Sequence, residues 1–268
     1  MALLTFEDLA ALDAGDAQVA QFKEDYRRQG YCWLPSFVSS DVVQQLQCEA
    51  ARLFEASADN SFRSTEDHTI TLDSPSAHTD TATTQQSSKC LIAQDRLPTE
   101  SQLLRLFRSP GLIRLLSLII DRPVYCSDDP LGGVYYNVFE EGDALGWHFD
   151  RSPFFVNLLV SLPSEGGGGQ FEFFADGRPQ QEDADSDDVL PPVYEAGVAR
   201  VARGEDVSKV VRPPLAEGGI IIFQGRRYMH RVTPVVGAGE RRINAILTYA
   251  DAPGFVLNTY TRQTFFGR

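Results

Sequence analysis

The chain has 268 residues, of which 43% are hydrophobic and 10% aromatic, and its formal net charge is −13. This length suits one domain with a sizeable hydrophobic core. The negative charge opposes binding to a phosphate backbone, so we expect no nucleic-acid partner. Every apolar run falls well short of the roughly 20 residues that a membrane span needs, so we expect no membrane association.

The four cysteines, Cys32, Cys48, Cys90 and Cys126, are far apart and form no Cys-x-x-Cys pair. This spacing is typical of reduced, mostly buried thiols in a cytoplasmic protein. The first residues lack the basic segment and the apolar core of a signal peptide, which also favours a cytoplasmic location. The sequence carries no signal for an oligomeric state.

The first part of the chain, residues 1–125, is predicted to be mainly helical. Apolar residues recur at helical spacing in two segments, 17–28 and 41–56. Two further helices are predicted at 101–108 and 110–121, where a Ser-Pro pair marks the start of the second one.

Between these helices, residues 60–90 are crowded with Ser, Thr, Asp and Gln and show no apolar alternation. The segment is therefore predicted to be a polar loop, and long loops of this kind often serve function, so we expect it to cover part of the site. Arg63 and Lys89 could reach a substrate carboxylate from this loop, but solvated side chains are the simpler interpretation.

Residues 126–268 are predicted to form a β core within the same single domain, 1–268. Apolar runs bounded by turn residues predict strands at 153–163, 218–223, 230–235 and 241–250. An insertion at 176–212 holds an acidic run at 182–188, interpreted as a solvated loop, and a short helix at 193–201.

The strongest chemical signal is the pair His148 and Asp150. Residues i and i+2 on a strand point to the same face, so both side chains can reach one metal ion. His78 and Asp80 have the same spacing but lie in the polar tract, whereas residues 148 and 150 lead into an apolar run. His230 begins a distant predicted strand, which a β-barrel would bring close. Two imidazoles and one carboxylate are the ligand set of a mononuclear iron(II) centre with open positions.

A basic pair, Arg241 and Arg242, opens the strand that follows His230. A buried Arg needs a carboxylate partner, and its planar guanidinium binds one through two hydrogen bonds. Neighbouring strand residues face opposite sides, so only one of the two can serve the site. We favour Arg242 because Asn244 shares its face and can add a hydrogen bond, and Arg241 remains the alternative.

These motifs together resemble the iron(II)/2-oxoglutarate-dependent oxygenases. The resemblance covers most of residues 130–268 and rests on Trp147-His148-Phe149-Asp150, Phe223-x-Gly225-Arg226, His230-Arg-Val-Thr-Pro234 and Arg242. The opening Gly30-Tyr31-Cys-Trp-Leu-Pro35 looks like the phytanoyl-CoA dioxygenase branch of that superfamily. The Phe-x-Gly-Arg and His-Arg-Val-Thr-Pro elements are more closely similar to a group of small hydroxylases and halogenases that act on free amino acids.

The resemblance implies a mainly β fold, a double-stranded β-helix (a jelly-roll or cupin-like barrel) with N-terminal and flanking α-helices. It implies that His148, Asp150 and His230 bind Fe(II), and that Arg242 binds the distal carboxylate of 2-oxoglutarate. It further implies a dioxygenase that uses O₂ and releases succinate and CO₂ while it hydroxylates, desaturates or cyclises an unactivated C–H position. In the halogenases Gly or Ala replaces the carboxylate ligand, so Asp150 implies oxygen transfer and not halogenation.

Further residues near these motifs are candidates for binding the co-substrate and the substrate. Asn137 and Thr248, together with Asn244, are predicted to contact 2-oxoglutarate. Tyr135, Arg151 and Arg226 are predicted to contact a small-molecule substrate, which we expect to be a free amino acid or a secondary-metabolite intermediate. Arg151 stands where the lysine halogenases carry an acidic residue, which favours an anionic or neutral substrate over a lysine-like one.

Two other functions use the same residues. A cupin-like metalloenzyme would use the triad without 2-oxoglutarate, and it would leave Arg242 unexplained. A protein or peptide hydroxylase would need an open, extended groove for its substrate. The chain shows no appended substrate-recognition module, so we favour a small-molecule substrate.

Overall fold

Six α-helices accompany the sheets in the described part of the computed structural model, which comprises residues 9, 16–70, 84–178 and 192–268. They are α1 (Ala17–Gln29), α2 (Ser40–Ala56), α3 (Gln102–Phe107), α4 (Pro110–Ile120), α5 (Pro192–Ala202) and α6 (Thr259–Phe266). Helices α1 to α5 confirm the five helices expected from the sequence. Polar caps fix where they begin: the Ser39 side chain accepts a hydrogen bond from the Val42 backbone N–H at the start of α2.

Thirteen strands lie in the described part of the chain, and all their pairings are antiparallel. They are β1 (Tyr31–Leu34), β2 (Phe62–His68), β3 (Gln85–Ile92), β4 (Tyr125–Cys126), β5 (Val134–Phe139), β6 (Leu145–His148), β7 (Phe155–Ser161), β8 (Phe171–Phe174), β9 (Val210–Val211), β10 (Ile220–Phe223), β11 (His230–Val232), β12 (Arg242–Leu247) and β13 (Tyr249–Ala250). A seven-stranded sheet has the order β1-β10-β7-β12-β5-β3-β2, and a four-stranded sheet has the order β6-β11-β8-β9. This architecture confirms the mainly β jelly-roll with flanking helices.

The two faces of the larger sheet have different partners, because side chains alternate along each strand. One face carries Val156, Leu158 and Ala245 into the main core against the helices. The opposite face carries residues such as Asn157 and Asn244 towards the smaller sheet, where they line a cavity. This alternation places the polar side chains of the central strands inside the molecule, on the side of the cavity.

The prediction of a polar loop over 60–90 is wrong for most of the residues of that segment that the structure describes. Strands β2 and β3 pair from Phe62 opposite Leu91 to His68 opposite Gln85, and β3 extends the large sheet beside β5. They escaped prediction because the inward face of this hairpin directs polar side chains into the cavity and the outward face is exposed, so neither face shows an apolar pattern.

Two expectations fall on parts of the chain that are not described. The His78 and Asp80 pair lies outside the described residues, and so does the acidic run at 182–188. The short helix in the insertion is α5, of which the side chains are described from residue 196 onwards. Within the described ranges, no helix combines the length and the apolar character required to cross a membrane.

Candidate metal centre and the cavity around it

Three potential metal ligands meet between the sheets. His148, the last residue of β6, is the cross-strand partner of His230, the first residue of β11, and their ring centroids are 4.3 Å apart. The Asp150 carboxylate lies between them, 3.6 Å from the Nε2 atom of His148 and 3.5 Å from that of His230. One ligand atom from each residue lies within 4.8 Å of the others, a separation that one metal ion can bridge.

The spacing argument assumed that Asp150 lies within a strand. In the structure, Asp150 lies just beyond the end of one. Strand β6 ends at His148, and the Asp150 backbone N–H donates to the carbonyl of Gly225 at 3.0 Å. A Cβ atom built on Gly225 would lie 1.9 Å from the Asp150 carboxylate. The glycine of the Phe-x-Gly-Arg motif is therefore required for space at the metal site.

Both histidines are oriented by their own backbone. The Nδ1 atom of His148 lies 2.7 Å from the Gly146 carbonyl, and that of His230 lies 2.9 Å from the Tyr228 carbonyl. A carbonyl can only accept, so Nδ1 carries the proton in each ring and the Nε2 lone pair is left to face the site. These carbonyls are the supporting contacts that the sequence motifs did not identify.

The protonation states of the triad match those of metal ligands. Burial lowers the pKa of His230 to about 4, so its imidazole is neutral at pH 7. Burial alone would raise the pKa of Asp150, but the charges and hydrogen bonds of His230, His148 and Lys89 hold that pKa below its ordinary value. Two imidazoles and one carboxylate form the donor set that suits iron(II) with open coordination positions.

Above the triad lies a cavity of about 460 Å³. Its floor is the inward face of the large sheet, and residues of α6 and the segment before it cover it from the opposite side. The volume is within the range of small-molecule binding sites. Asn137, Arg242, Asn244 and Thr248, predicted to bind 2-oxoglutarate, and Tyr135, Arg151 and Arg226, predicted to bind substrate, all line this cavity.

Arg242 lies deep in the cavity floor and is 1% exposed. Its Nη1 donates to the Asn244 side-chain oxygen, and its Nε has no hydrogen-bond partner. Among the described residues no carboxylate forms an ion pair with it, and burial lowers its pKa to about 10. Arg241, in contrast, points outwards and pairs with Glu55 at 3.0 Å and with Glu140 at 3.3 Å.

The other residues predicted to contact 2-oxoglutarate differ in whether their side-chain polar atoms already have hydrogen-bond partners. The amide nitrogen of Asn244 donates to the Asn157 oxygen at 2.9 Å, which continues the polar row from Arg242. The Asn137 side-chain oxygen is buried without a partner. The Thr248 hydroxyl donates to the Gly132 carbonyl at 2.6 Å, and the residue lines the cavity between β12 and β13.

The residues predicted to contact the substrate lie near one another at the cavity wall. The Nε atom of Arg226 donates to the backbone carbonyl of Arg151 at 2.9 Å, and the Arg151 guanidinium stacks 4.9 Å from the centre of the Tyr260 ring. The Tyr135 ring packs edge-on against Phe266 at 5.3 Å. Arg226 therefore supports the Arg151 backbone, while Tyr135 forms part of an aromatic wall.

Four further residues of the cavity lie on the hairpin that was interpreted as a loop: Glu66, His68, Ser87 and Lys89. Lys89 is 8% exposed, so the expectation of a solvated side chain is wrong for it. Arg63 is on the other face and pairs with Asp143 at 2.6 Å. The signal that could have found Lys89 is its position directly before Cys90-Leu-Ile-Ala93, an apolar run typical of a buried strand.

Comparison with solved structures identifies the fold. SnoN, described as a non-heme alpha-ketoglutarate-dependent epimerase from nogalamycin biosynthesis, superposes with a TM-score of 0.58 at 18% identity, over 88% of this chain and 82% of that one. AviO1 from Streptomyces viridochromogenes Tue57 gives 0.57 at 15% identity, over 88% and 96%. HygX from Streptomyces hygroscopicus, solved with nickel and 2-oxoglutarate bound, gives 0.54 at 14% identity, over 87% of each chain.

A search among curated proteins found no significant match to the sequence. The model of a protein family described as Halogenase D, in contrast, matches residues 14–263, which is nearly the whole chain. The structural neighbours share the fold expected for the wider superfamily to which the sequence motifs pointed. The chain belongs to the Halogenase D family and has the fold of the iron(II)/2-oxoglutarate-dependent oxygenases.

Proposed function

We propose that this protein is an iron(II)- and 2-oxoglutarate-dependent dioxygenase that oxidises a C–H bond of a small molecule, most simply by hydroxylation. The observation that carries the proposal is the pairing of the triad with a buried arginine in one cavity. His148, Asp150 and His230 would hold Fe(II), and Arg242 would hold the distal carboxylate of 2-oxoglutarate. The structural neighbours support this assignment, since HygX was solved with 2-oxoglutarate and a divalent metal.

When bound, iron(II) with 2-oxoglutarate supplies the oxidative decarboxylation of the keto acid to succinate and CO₂, which O₂ couples to substrate oxidation. The residues of the chain bind and orient the reactants. The Gly146 and Tyr228 carbonyls fix the proton on Nδ1 of each histidine, and the Gly225 carbonyl holds the Asp150 backbone. The Nε atom of the Arg242 guanidinium has no hydrogen-bond partner. It is therefore available to an anionic ligand, in an environment that is nearly dry.

Asp150 also separates the proposed reaction from halogenation, despite the name of the family. The carboxylate stands at the position that the resembling halogenases leave to Gly or Ala, and it contacts both histidines. Oxygen transfer is therefore the chemistry that this ligand set supports. Desaturation and ring closure use the same residues and remain alternatives within the same class.

The cavity favours a small molecule over a protein substrate. Its volume is about 460 Å³, and Leu257 and Tyr260 of the C-terminal segment line it together with the candidate metal ligands, so the space beside the metal centre suits a molecule of small size. A free amino acid or a secondary-metabolite intermediate of similar size fits this space beside the co-substrate. The cupin-like alternative, a metalloenzyme without 2-oxoglutarate, gives no reason for a buried Arg242 that lacks a carboxylate among the described residues.

The proposal is tested by adding Fe(II) and 2-oxoglutarate to metal-free protein under anaerobic conditions and recording the visible spectrum. We expect a metal-to-ligand charge-transfer band in the wild type and its loss in Asp150→Ala. Succinate release under air, screened over free amino acids, then identifies substrates. Tight metal binding without the band would contradict the proposal and favour the cupin-like metalloenzyme.

A further inference from the structure

The cavity contains a second buried cation, Lys89, that the proposed metal and keto-acid chemistry does not use. Its side chain lines the cavity and is 8% exposed. A buried ammonium without a counter-charge costs free energy, so such groups are normally paired. Within the described ranges, however, no carboxylate lies within ion-pair distance of the Lys89 Nζ atom and no acceptor forms a hydrogen bond with it.

The neighbours of Lys89 explain its position but leave its ammonium unsatisfied. The nearest aromatic group is Phe265, whose ring centre is 5.2 Å from Nζ. Ser64, the cross-strand partner on β2, directs its hydroxyl to the Thr264 carbonyl at 2.9 Å. Glu66 lies on the same face of the hairpin, but its carboxylate accepts a hydrogen bond from the Tyr260 hydroxyl and forms no ion pair with Lys89.

The register of the sheet places Lys89 apart from Arg242. Arg242 on β12 pairs with Phe139 on β5. On the other side of β5, Cys90 of β3 pairs with Val138, so the neighbouring residue Lys89 lies beside Phe139. The two cations are thus two strand spacings apart, roughly 10 Å between backbone positions. One 2-oxoglutarate carboxylate on Arg242 therefore leaves Lys89 available for a different anion.

The charges around Lys89 favour an ammonium ion at neutral pH. Burial lowers the pKa of Lys89 to about 8, and the positive charge of Arg242 lowers it further, but the negative charges of Asp150 and Glu66 act in the opposite direction. The surrounding wall is largely apolar and includes Tyr135 and Phe265. An anion that binds here would be held by a charge-assisted hydrogen bond in a partly dry environment.

We propose that Lys89 anchors a carboxylate of the substrate, so that the substrate is a small organic acid whose carbon chain extends from Lys89 towards the metal centre. This inference rests on the proposed function, because it assigns Arg242 to the keto acid. It narrows the substrate class to carboxylates, including amino acids, and excludes neutral amides and esters of the same size.

The chain offers a direct test because it contains only three lysines, Lys23, Lys89 and Lys209. The other two are at the surface, where Lys23 pairs with Asp121 and Lys209 with Asp176, each at 2.6 Å. Carbamylation by cyanate can be followed at each lysine by peptide mass spectrometry. The protein is loaded with nickel and saturating 2-oxoglutarate, so that Arg242 and the metal are already engaged.

The probes are hexanoate and hexanamide, which have nearly the same shape and differ in charge. We expect hexanoate to slow carbamylation of Lys89 and not of Lys23 or Lys209, while hexanamide and an equal concentration of sodium chloride leave all three rates unchanged. Equal protection by hexanamide or by chloride, or no protection by hexanoate, would overturn the proposal.

Variants add a second, independent measurement of hexanoate binding by calorimetry. We expect Lys89→Met to weaken hexanoate binding by about tenfold to a hundredfold, the effect of losing one hydrogen bond to a charged group. Lys89→Arg should retain most of the affinity, and Lys209→Met is the matched surface control. Unchanged hexanoate affinity in a folded Lys89→Met protein would contradict the assignment.

Titration of 2-oxoglutarate separates this inference from the proposed function. We expect Lys89→Met to bind 2-oxoglutarate as the wild type does and to give the same charge-transfer band with Fe(II). A band that is absent in the wild type while hexanoate still protects Lys89 would refute the dioxygenase function alone. A loss of 2-oxoglutarate affinity in Lys89→Met would mean that Lys89 serves the keto acid, which would overturn the substrate assignment.

Discussion

Two buried carboxylates, of Asp129 and Glu172, and two buried cations, of Arg242 and Lys89, differ in whether the protein supplies a partner for their charge. Asp129, whose side chain is fully buried, accepts hydrogen bonds from the backbone N–H groups of Leu131, Gly132 and Leu257, and from the guanidinium of Arg262. Arg242 and Lys89, in contrast, have no carboxylate partner among the described residues, and both face the cavity. Paired buried charges hold the fold together, whereas unpaired ones mark places for ligands.

Glu172 on β8 belongs with Asp129 in this comparison. Its Oε1 accepts a hydrogen bond from the Nε of Arg212 at 3.2 Å, and its Oε2 accepts one from the Nε of Arg231 at 2.8 Å. Burial would raise the pKa of Glu172, but the two arginines hold it below its ordinary value. Arg231 also stacks over the Trp147 ring at 4.6 Å, so this group supports the strand that carries His230.

The comparison predicts the largest loss of stability for Asp129→Ala. Removing the carboxylate leaves buried N–H groups and the Arg262 guanidinium without acceptors, so we expect a loss of about 3–5 kcal/mol in the free energy of unfolding. Hydrogen bonds lower the pKa of Asp129, so its contribution is present above the ordinary aspartate pKa of about 3.9 and is lost as pH falls. Urea denaturation at pH 7 and at acidic pH measures both effects. A fully stable Asp129→Ala protein would contradict the comparison.

On the cavity side of the comparison, the substitution Gly225→Ala disturbs the metal centre without altering any charge. The added methyl group would lie where the Asp150 carboxylate is, so the carboxylate must move away from the two histidines. We expect metal affinity to fall by about tenfold to a hundredfold, as when the support of a metal ligand is lost. Competition with a fluorescent chelator measures the affinity. Gly197→Ala, on α5, where an added Cβ would meet no atom closer than 3.8 Å, is the control for backbone effects of the same substitution.

A smaller loss of stability is expected for Glu172→Gln. The amide keeps the shape and one acceptor but loses the charge, and the arginine partners are partly exposed to water, which reduces the cost. We expect a loss of about 1–2 kcal/mol in the free energy of unfolding, with 2-oxoglutarate binding unchanged. Thermal unfolding and calorimetry on the same sample check the two results. A change in 2-oxoglutarate affinity without a loss of stability would contradict this prediction.

The smallest effect on stability is expected for Arg242→Met in the ligand-free protein. Replacing a buried charge that has no counter-charge with an apolar side chain of similar length removes a desolvation cost. We expect the free energy of unfolding to change by less than about 1 kcal/mol or to rise, as urea denaturation without 2-oxoglutarate would show. A large destabilisation would mean that Arg242 is a structural residue like Arg262.

The sequence was sufficient to predict most of the fold because its periodic signals are strong. The helical stripes located α1 and α2, and the apolar runs located β7, β10 and β12. The candidate metal ligands and Arg242 were predicted from spacing, from their strand context and from the resemblance. The structure places these residues in one cavity, with Arg241 turned to the surface.

What the sequence could not show depends on contacts between distant segments. Strands β2 and β3 direct polar side chains into the cavity, so their pattern lacks the alternation by which strands are recognised. The Asp150 position depends on Gly225, far along the chain, and the burial of Lys89 depends on α6, which covers it through Phe265. Such tertiary contacts leave no periodic signal in the local sequence.

The most direct test of the account is the titration of 2-oxoglutarate into nickel-loaded protein by calorimetry, with Arg242→Met and Arg241→Met beside the wild type. We expect the wild type and Arg241→Met to bind with the same affinity. Arg242→Met should bind at least about 100-fold more weakly, because two hydrogen bonds between charged groups are lost. Unchanged binding in a folded Arg242→Met protein would contradict the assignment of this cavity to 2-oxoglutarate.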